Sequence, residues 1–186
     1  MTEKNFAIID TETNWDNEVM SVGVVVASTT FKVLGRRYYV LTPEVEVGGM
    51  FSNAISLPGQ QHYLCSRDVM AEDVHDFLAK FRVRSIFAYN AKFDYGMLPE
   101  LSAYDWYDIM RLAAYRQYNE AIPHACECYV TGRMKSGYGV ESIFQMLSGN
   151  LHYYEKHNAL QDAEDELEIM MMLGHTVEEY DVALIN

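Results

Sequence analysis

Two acidic residues follow a short apolar stretch near the start of the chain. Residues 6–12 read FAIIDTE, which places Asp10 and Glu12 two positions apart at the end of a predicted strand. Side chains at i and i+2 of a strand lie on the same side. Two ionised carboxylates this close repel each other unless a cation lies between them, and Mg²⁺ takes oxygen ligands of this kind. The spacing therefore predicts half of a metal site, although a lone DxE is more often a turn cap beside a solvated glutamate.

Two later segments again place an acid beside an apolar run. SIFAYNAKFDYGML contains Asp94, and HNALQDAEDELEIMMML contains Asp162. Carboxylates gathered from three segments are what a two-cation phosphoryl-transfer site needs, because two Mg²⁺ ions bring four positive charges. His157 lies five positions before Asp162, just ahead of the same predicted helix. A histidine titrates near pH 6.5, so His157 can take the proton of a metal-bound water.

The elements that must position these residues follow a mixed α/β pattern. β-Branched and apolar runs predict strands at 18–27 and 30–41 that form an antiparallel meander with the first, and further strands at 85–89 and 106–109. Apolar spacing predicts helices at 67–81, around Phe93, Met97 and Leu101, at 110–118, at 139–147 and from Asn158 onward. Residues 42–61 and 119–138 are predicted loops, the second a candidate lid. Sites in such sheets gather at the carboxyl ends of strands, where Asp10 and Asp94 fall.

Length and composition indicate a single domain over residues 1–186. The 186 residues are 49% hydrophobic and 22% charged, as in ordinary globular proteins. No apolar run approaches the roughly 20 residues that span a membrane. Three cysteines and an opening without a secretory segment predict a reduced, cytoplasmic protein with no membrane partner.

The net charge of −13 bears on the substrate. It disfavours broad adhesion to a polyanion, for which a basic face is expected. Bound Mg²⁺ reverses the sign of the potential locally, so the charge is compatible with a nuclease. Short substrates, or a partner that holds the substrate, are favoured.

These motifs together resemble the DEDDh 3′→5′ exonucleases, the family that includes the proofreading subunit of bacterial polymerase III, ribonuclease T and oligoribonuclease. The family motifs occur in order as IIDTE with Asp10 and Glu12, AYNAKFD with Asn90 and Asp94, and HNALQD with His157, Ala159 and Asp162. The Tyr branch of the superfamily has tyrosine four residues before the last aspartate. Asn158 stands there, which places the chain with the His branch.

The resemblance implies a ribonuclease H-like fold, with a mixed five-stranded sheet flanked by helices, and two-metal hydrolysis that releases nucleoside 5′-monophosphates from a single-stranded 3′ end. It implies that Asp10, Glu12 and Asp162 hold one Mg²⁺ or Mn²⁺, that Asp10 bridges to a second and that Asp94 assists the second through water. His157 is then the general base. A polymerase or a second copy of the chain are the partners that relatives suggest.

The chain departs from the family pattern after Glu12, where many members have Thr-Thr-Gly and this chain has Thr13, Asn14 and Trp15. Trp15 can stack on a base, which is worth about 1 to 3 kcal/mol, or it can cover the sheet edge. We expect these three residues to contact the substrate. We expect the same of Asn90 and Lys92, which lie close to Asp94 in the sequence.

Two further patterns are weaker predictors. Arg133 and Lys135 can grip phosphates, although such a pair is more often a solvated loop. Zinc-ligand side chains occur at His62, Cys65, His124, Cys126 and Cys128. The CxC spacing differs from the usual C-x₂₋₄-C, so ordinary cysteines are favoured.

Two other function classes remain open. One is a catalytically silent ribonuclease H-like module that binds nucleic acid or a polymerase. The other is an endonuclease or strand-transfer enzyme on the same fold. The sequence does not distinguish DNA from RNA.

Overall fold

The computed structural model describes residues 5–186, which form a six-stranded mixed sheet between helices. The strands are β1 (Asn5–Thr13), β2 (Val19–Ser28), β3 (Val33–Leu41), β4 (Tyr63–Cys65), β5 (Ser85–Ala88) and β6 (Asp105–Asp108). Their order across the sheet is β4-β3-β2-β1-β5-β6. β1, β2 and β3 are antiparallel neighbours, whereas β4, β5 and β6 each run parallel to the strand they join.

Within residues 5–186, six α-helices connect and cover the strands. They are α1 (Glu44–Val47), α2 (Arg67–Lys80), α3 (Lys92–Met97), α4 (Met110–Ala113), α5 (Val140–Ser148) and α6 (Ala159–Leu173). Short 3₁₀ segments occur at Ser52–Ala54, Pro99–Leu101 and Val177–Ala183.

The central pair of strands, β1 and β2, separates two apolar cores. Phe6 and Ile8 point into the core that α5 and α6 cover, and Ala7 and Ile9 point into the core beneath α2. β2 is buried along its whole length, because both of its faces are covered by helices. Its valine-rich sequence suits this position, since strands buried on both faces are continuously apolar. Side chains along β1 alternate between the two faces of the sheet, so Asp10 and Glu12 lie on the same face as Phe6 and Ile8.

The predicted mixed α/β sheet flanked by helices is confirmed, with one strand more than the five expected. The additional strand, β4, pairs with the outer edge of β3. β4 has only three residues, which is too short to give an alternating sequence pattern. The helix expected to reach Leu101 ends at Met97, because a residue before proline disfavours the helical region and Pro99 follows. The helix predicted at 110–118 is shorter than expected, because α4 ends at Ala113. Residues 119–138 are irregular.

Among residues 5–186, none of the helices has the length and apolar character needed to cross a membrane.

Candidate active site

β1 extends beyond its parallel neighbour and carries two acids there. β5 pairs with β1 only from Phe6 to Ile8, so the side of β1 that faces β5 has no strand neighbour from Ile9 onward. On the other side β1 stays paired with β2 as far as Thr13. Asp10 and Glu12 thus lie within a strand rather than after it, on the α6 face, in a gap that the end of β5 leaves open.

Asp94 reaches this gap from the opposite face of the sheet. It lies in the first turn of α3, is 2% exposed, and accepts a hydrogen bond of 2.7 Å from the hydroxyl of Thr11. Thr11 points away from Asp10 because neighbouring residues of a strand alternate. The carboxylate of Asp94 is therefore fixed to the back of the same strand that presents Asp10 on its front.

A glycine allows α6 to approach the sheet closely. Gly23 of β2 pairs directly with Asp10, and a Cβ placed at Gly23 would clash with the backbone of Ala159 at the start of α6. An isolated glycine within a strand often marks such an approach. Because the helix begins against this position, Asp162 in its first turn lies over the β1 acids.

Asn158 caps α6 and ties it to the loop that follows β3. Its side-chain oxygen accepts a hydrogen bond from the backbone N–H of Gln161, the arrangement of an N-cap. Its amide nitrogen donates to the carbonyl of Ala54 at 2.7 Å and to the hydroxyl of Tyr38 at 3.1 Å. The predicted N-cap is confirmed, and it also joins α6 to residues 42–61.

The imidazole of His157 packs against Phe51, an aromatic residue of the same loop. Its backbone has a φ of 55°, and its imidazole stacks on Phe51 with ring centroids 3.7 Å apart and planes inclined by 14°. Ligand atoms of Glu12, His157 and Asp162 lie within 4.8 Å of one another. The structure thus brings together one residue from β1 and two from the α6 region, as the sequence predicts.

Electrostatics disfavour the charged form of every acid in this cluster. Burial, with smaller effects of Glu155 and Asp94, raises the pKa of Glu12 to about 7. Burial raises the pKa of Asp162 to about 8, with the charges of Glu155 and Glu12 acting in the same direction.

The other two predicted acids are affected in the same way. Burial raises the pKa of Asp94 to about 7 against the lowering effect of the Thr11 hydrogen bond. The pKa of Asp10 is raised well above its usual range by burial and then by the charges of Asp94 and Glu166. The pKa of His157 is lowered by burial, which favours the neutral imidazole. A cation placed among these groups would reverse the shifts of the acids.

The donor set fits Mg²⁺ or Mn²⁺. It consists of carboxylate oxygens and one imidazole, and hard divalent cations select carboxylates. Among residues 5–186, Oδ1 of Asp162 and Oε2 of Glu166 are buried without a hydrogen-bond partner. Buried polar atoms normally have a partner, so an oxygen left without one is consistent with a cation ligand.

A recess for substrate lies beside Glu12. A cavity of about 330 Å³ is lined by residues 11–15, Met50, Phe51 and Phe93. Trp15 is 66% exposed, and its backbone N–H donates to the carbonyl of Gly48 at 3.0 Å. The indole is therefore presented to solvent at the rim of the recess and does not cover the sheet edge.

The other predicted substrate contacts have different environments. Thr13 lines the recess, while Asn90 and Lys92 are exposed. Asn14 is 5% exposed; its oxygen accepts from the backbone of Asp16 and Glu18, and its nitrogen donates to Glu44. The side chain of Asn14 therefore holds the turn between β1 and β2. Asn14 also lines the recess, so its contact with substrate stays a prediction.

Four residues of the site were missed by sequence analysis. Glu155 and Glu166 were not singled out, although Glu166 lies one helical turn after Asp162 and could have been found from that spacing. Phe51 lies in a loop with no periodic signal. Gly23 was read only as part of a strand, although a glycine there is itself a signal of close packing.

The zinc candidates do not converge. Within residues 5–186, the metal-like cluster of three side chains is Glu12, His157 and Asp162. The five candidates form no such group, and the three cysteines are free.

The sequence matches no family model and no curated protein. Among solved structures, an exonuclease I shows a TM-score of 0.60 and 13% identity over 96% of this chain. Exonuclease I of E. coli in complex with a dT13 oligonucleotide gives 0.60 and 12% over 92%, and exonuclease I with an inhibitor gives 0.59 and 12% over 97%. This chain spans 40 to 43% of the length of those chains. The likeness confirms the ribonuclease H-like fold.

Proposed function

We propose that the chain is a metal-dependent 3′→5′ exonuclease of the DEDDh type that hydrolyses single-stranded DNA or RNA to nucleoside 5′-monophosphates. The observation that carries this proposal is the cluster of Glu12, His157 and Asp162 within 4.8 Å. Asp10 lies on the same face of β1 as Glu12, and the charges of Asp94 and Asp162 act on it. The acids come from three separate segments, yet they lie close together where β1 extends beyond the end of β5. The exonuclease fold of the chain supports the same reaction class.

The residues have distinct roles in this proposal. Asp10, Glu12 and Asp162 would hold one Mg²⁺ or Mn²⁺, and Asp10 and Asp94 would hold a second. When bound, two such ions activate water and offset the charge that develops on the phosphate. His157 accepts the proton of the attacking water. Burial lowers its pKa, which keeps the imidazole neutral and able to accept a proton near neutral pH.

The stack on Phe51 supports the role of His157 as a general base. A base must be held within hydrogen-bond reach of the proton that it takes. The ring of Phe51 fixes the plane of the imidazole, while the left-handed backbone of His157 turns the side chain toward Glu12. Phe51 is a positioning residue in this scheme.

The terminal nucleotide would occupy the recess beside Glu12. Its walls include exposed faces of Trp15, Met50 and Phe93, and bases stack on aromatic rings without regard to sequence. A similar structure of exonuclease I is a complex with a dT13 oligonucleotide, which supports a single strand as the substrate. We assign Thr13 and Trp15 to this contact, with Asn90 and Lys92 at the rim.

Arg133 is the better of the two candidate phosphate ligands in the 119–138 segment. Its guanidinium stacks on Tyr138 at 4.5 Å from the ring centroid. Burial raises the pKa of Asp108, the last residue of β6, and the charge of Arg133 acts against that rise. The ammonium of Lys135 instead pairs with Glu127 at 3.3 Å. Association with a polymerase or a second copy stays a prediction.

The test is digestion of matched 5′-labelled single-stranded DNA and RNA with Mg²⁺ or Mn²⁺. We expect a ladder that shortens from the 3′ end, is abolished by EDTA or by a blocked 3′ end, and is lost in Asp10→Ala. Asp16→Ala removes an exposed acid from the turn after β1 and is the matched control, with activity retained.

Two outcomes would point to the other function classes. Binding without cleavage of either strand would contradict the enzyme and support the silent binding module. Cleavage of the blocked strand would support an endonuclease.

A further inference from the structure

A fifth acid lies on the same face of α6 as Asp162. Glu166 follows Asp162 by four residues, so the two side chains are neighbours along the helix. α6 packs against both β1 and β2. Asp162 and Glu166 therefore lie on the same face of α6, which packs on the sheet, with Glu166 one helical turn further along the helix.

Glu166 is buried, and among the described residues one of its two carboxylate oxygens has no hydrogen-bond partner. It is 2% exposed, and its Oε2 has no hydrogen-bond partner among the described residues. The neighbouring Asp165 shows the contrast, because its carboxylate accepts hydrogen bonds from Tyr153 at 2.7 Å and from Gln161 at 3.0 Å. A buried carboxylate oxygen left without a donor is costly unless a cation meets it.

The charges that surround Glu166 have its own sign. It interacts with Asp94 and Asp162, and its charge is the second-largest carboxylate influence on Asp10. A hydrogen bond from the backbone of Tyr89, which follows β5, acts in the opposite direction. Glu166 thus adds a negative charge to a region where Asp10, Asp94 and Asp162 already lie.

We propose that Glu166 is an additional cation-binding carboxylate, which supplies an oxygen to the ion held by Asp10 and Asp94. This inference rests on the proposed function, because it concerns the same metal centre. Asp94 would approach that ion from the opposite face of β1, whereas Glu166 would approach it from the side of α6. Five carboxylates against two divalent ions leave the site one negative charge in excess, which raises its affinity for cations.

The experiment measures Mn²⁺ binding to the full chain without substrate, by calorimetry and by the electron paramagnetic resonance signal of free Mn²⁺. The variants are Glu166→Gln, which keeps the shape and removes the charge, and Glu168→Gln as a control. Glu168 is an exposed residue of the same helix and undergoes the same change of charge. A second readout is the increase in Tm that Mn²⁺ produces.

We expect Glu166→Gln to weaken the lower-affinity Mn²⁺ site by about ten-fold or more, the usual effect of removing a group that supports a metal site. Its Mn²⁺-induced increase in Tm should shrink, while Glu168→Gln behaves as the wild type. If Glu166→Gln does not fold, Glu166→Asp retains the charge but withdraws the oxygen by one methylene, and the same loss of affinity is expected.

Unchanged Mn²⁺ affinity and stoichiometry in the folded variant would overturn the role of Glu166 and leave the exonuclease proposal intact. Failure of the wild-type chain to bind Mn²⁺ at all would overturn both. The two failures are therefore distinguishable without an activity assay.

Discussion

The raised pKa values of the site acids predict an unusual dependence of stability on pH in metal-free protein. Glu12 and Asp94 have pKa values of about 7 and Asp162 of about 8, whereas in the unfolded chain such groups titrate near 4. Between about pH 5 and 8 the folded state therefore binds more protons than the unfolded state. Its free energy of unfolding must decrease as the pH rises through this window.

The size of the effect follows from the number of protons retained. One proton corresponds to about 1.4 kcal/mol per pH unit. For a chain of this length 1 kcal/mol changes Tm by roughly 2–4 °C, so each proton lowers Tm by roughly 3–6 °C per pH unit. The acids interact, which makes one to two protons more realistic than three. His157 acts in the opposite direction, because its pKa is lowered on folding.

The assay is thermal unfolding in EDTA at several pH values between about 5.5 and 8.5, repeated with Mn²⁺. We expect Tm to fall with pH in EDTA and to rise with pH in Mn²⁺, since the ion binds the ionised acids. Asp162→Asn should flatten the EDTA slope by about one proton, and Asp16→Asn should leave it unchanged. A Tm in EDTA that is constant or rises from pH 6 to 8 would refute the reasoning.

Three further predictions concern the packing that assembles the site. Gly23→Ala should lower Tm and abolish Mn²⁺ binding, because its methyl group displaces the start of α6, whereas Gly96→Ala adds a methyl group to open space and should do neither. Asn158→Ala should cost about 1 to 3 kcal/mol in urea unfolding, since it removes a cap and leaves buried carbonyls without a donor; a loss below that range would contradict the capping role. Phe51→Ala should reduce kcat by about ten-fold or more with Mn²⁺ affinity retained, because only the placement of His157 is lost; a parallel loss of Mn²⁺ binding would show that the loop supports the metal ligands instead.

The parts of the site that the sequence predicted are those whose spacing has a fixed geometric meaning. Asp10 and Glu12 share a face because strand residues alternate, and Asn158 was recognisable as a cap because its residue type and position suit one. The environment of Glu166 could not be read in the same way. The run DAEDELE in α6 looks like a solvated charged face, and only the packing of α6 on β1 and β2 shows which of its acids are buried. Phe51 was missed for a different reason, since a stack across about a hundred residues of chain has no local signature.

The close packing of α6 against Gly23 links the metal ligands to the proposed base. Asp162 lies in the first turn of the helix, Asn158 caps that turn, and His157 precedes the cap. Asn158 also binds the loop that supplies Phe51, so a displacement of the helix start moves the acid, the histidine and the loop together. A cation bound between Asp162 and Glu12 would therefore also affect the position of His157, because residues 157–162 form one short segment. Because the acids repel one another, a cation bound as proposed would also stabilise the start of α6 against β1.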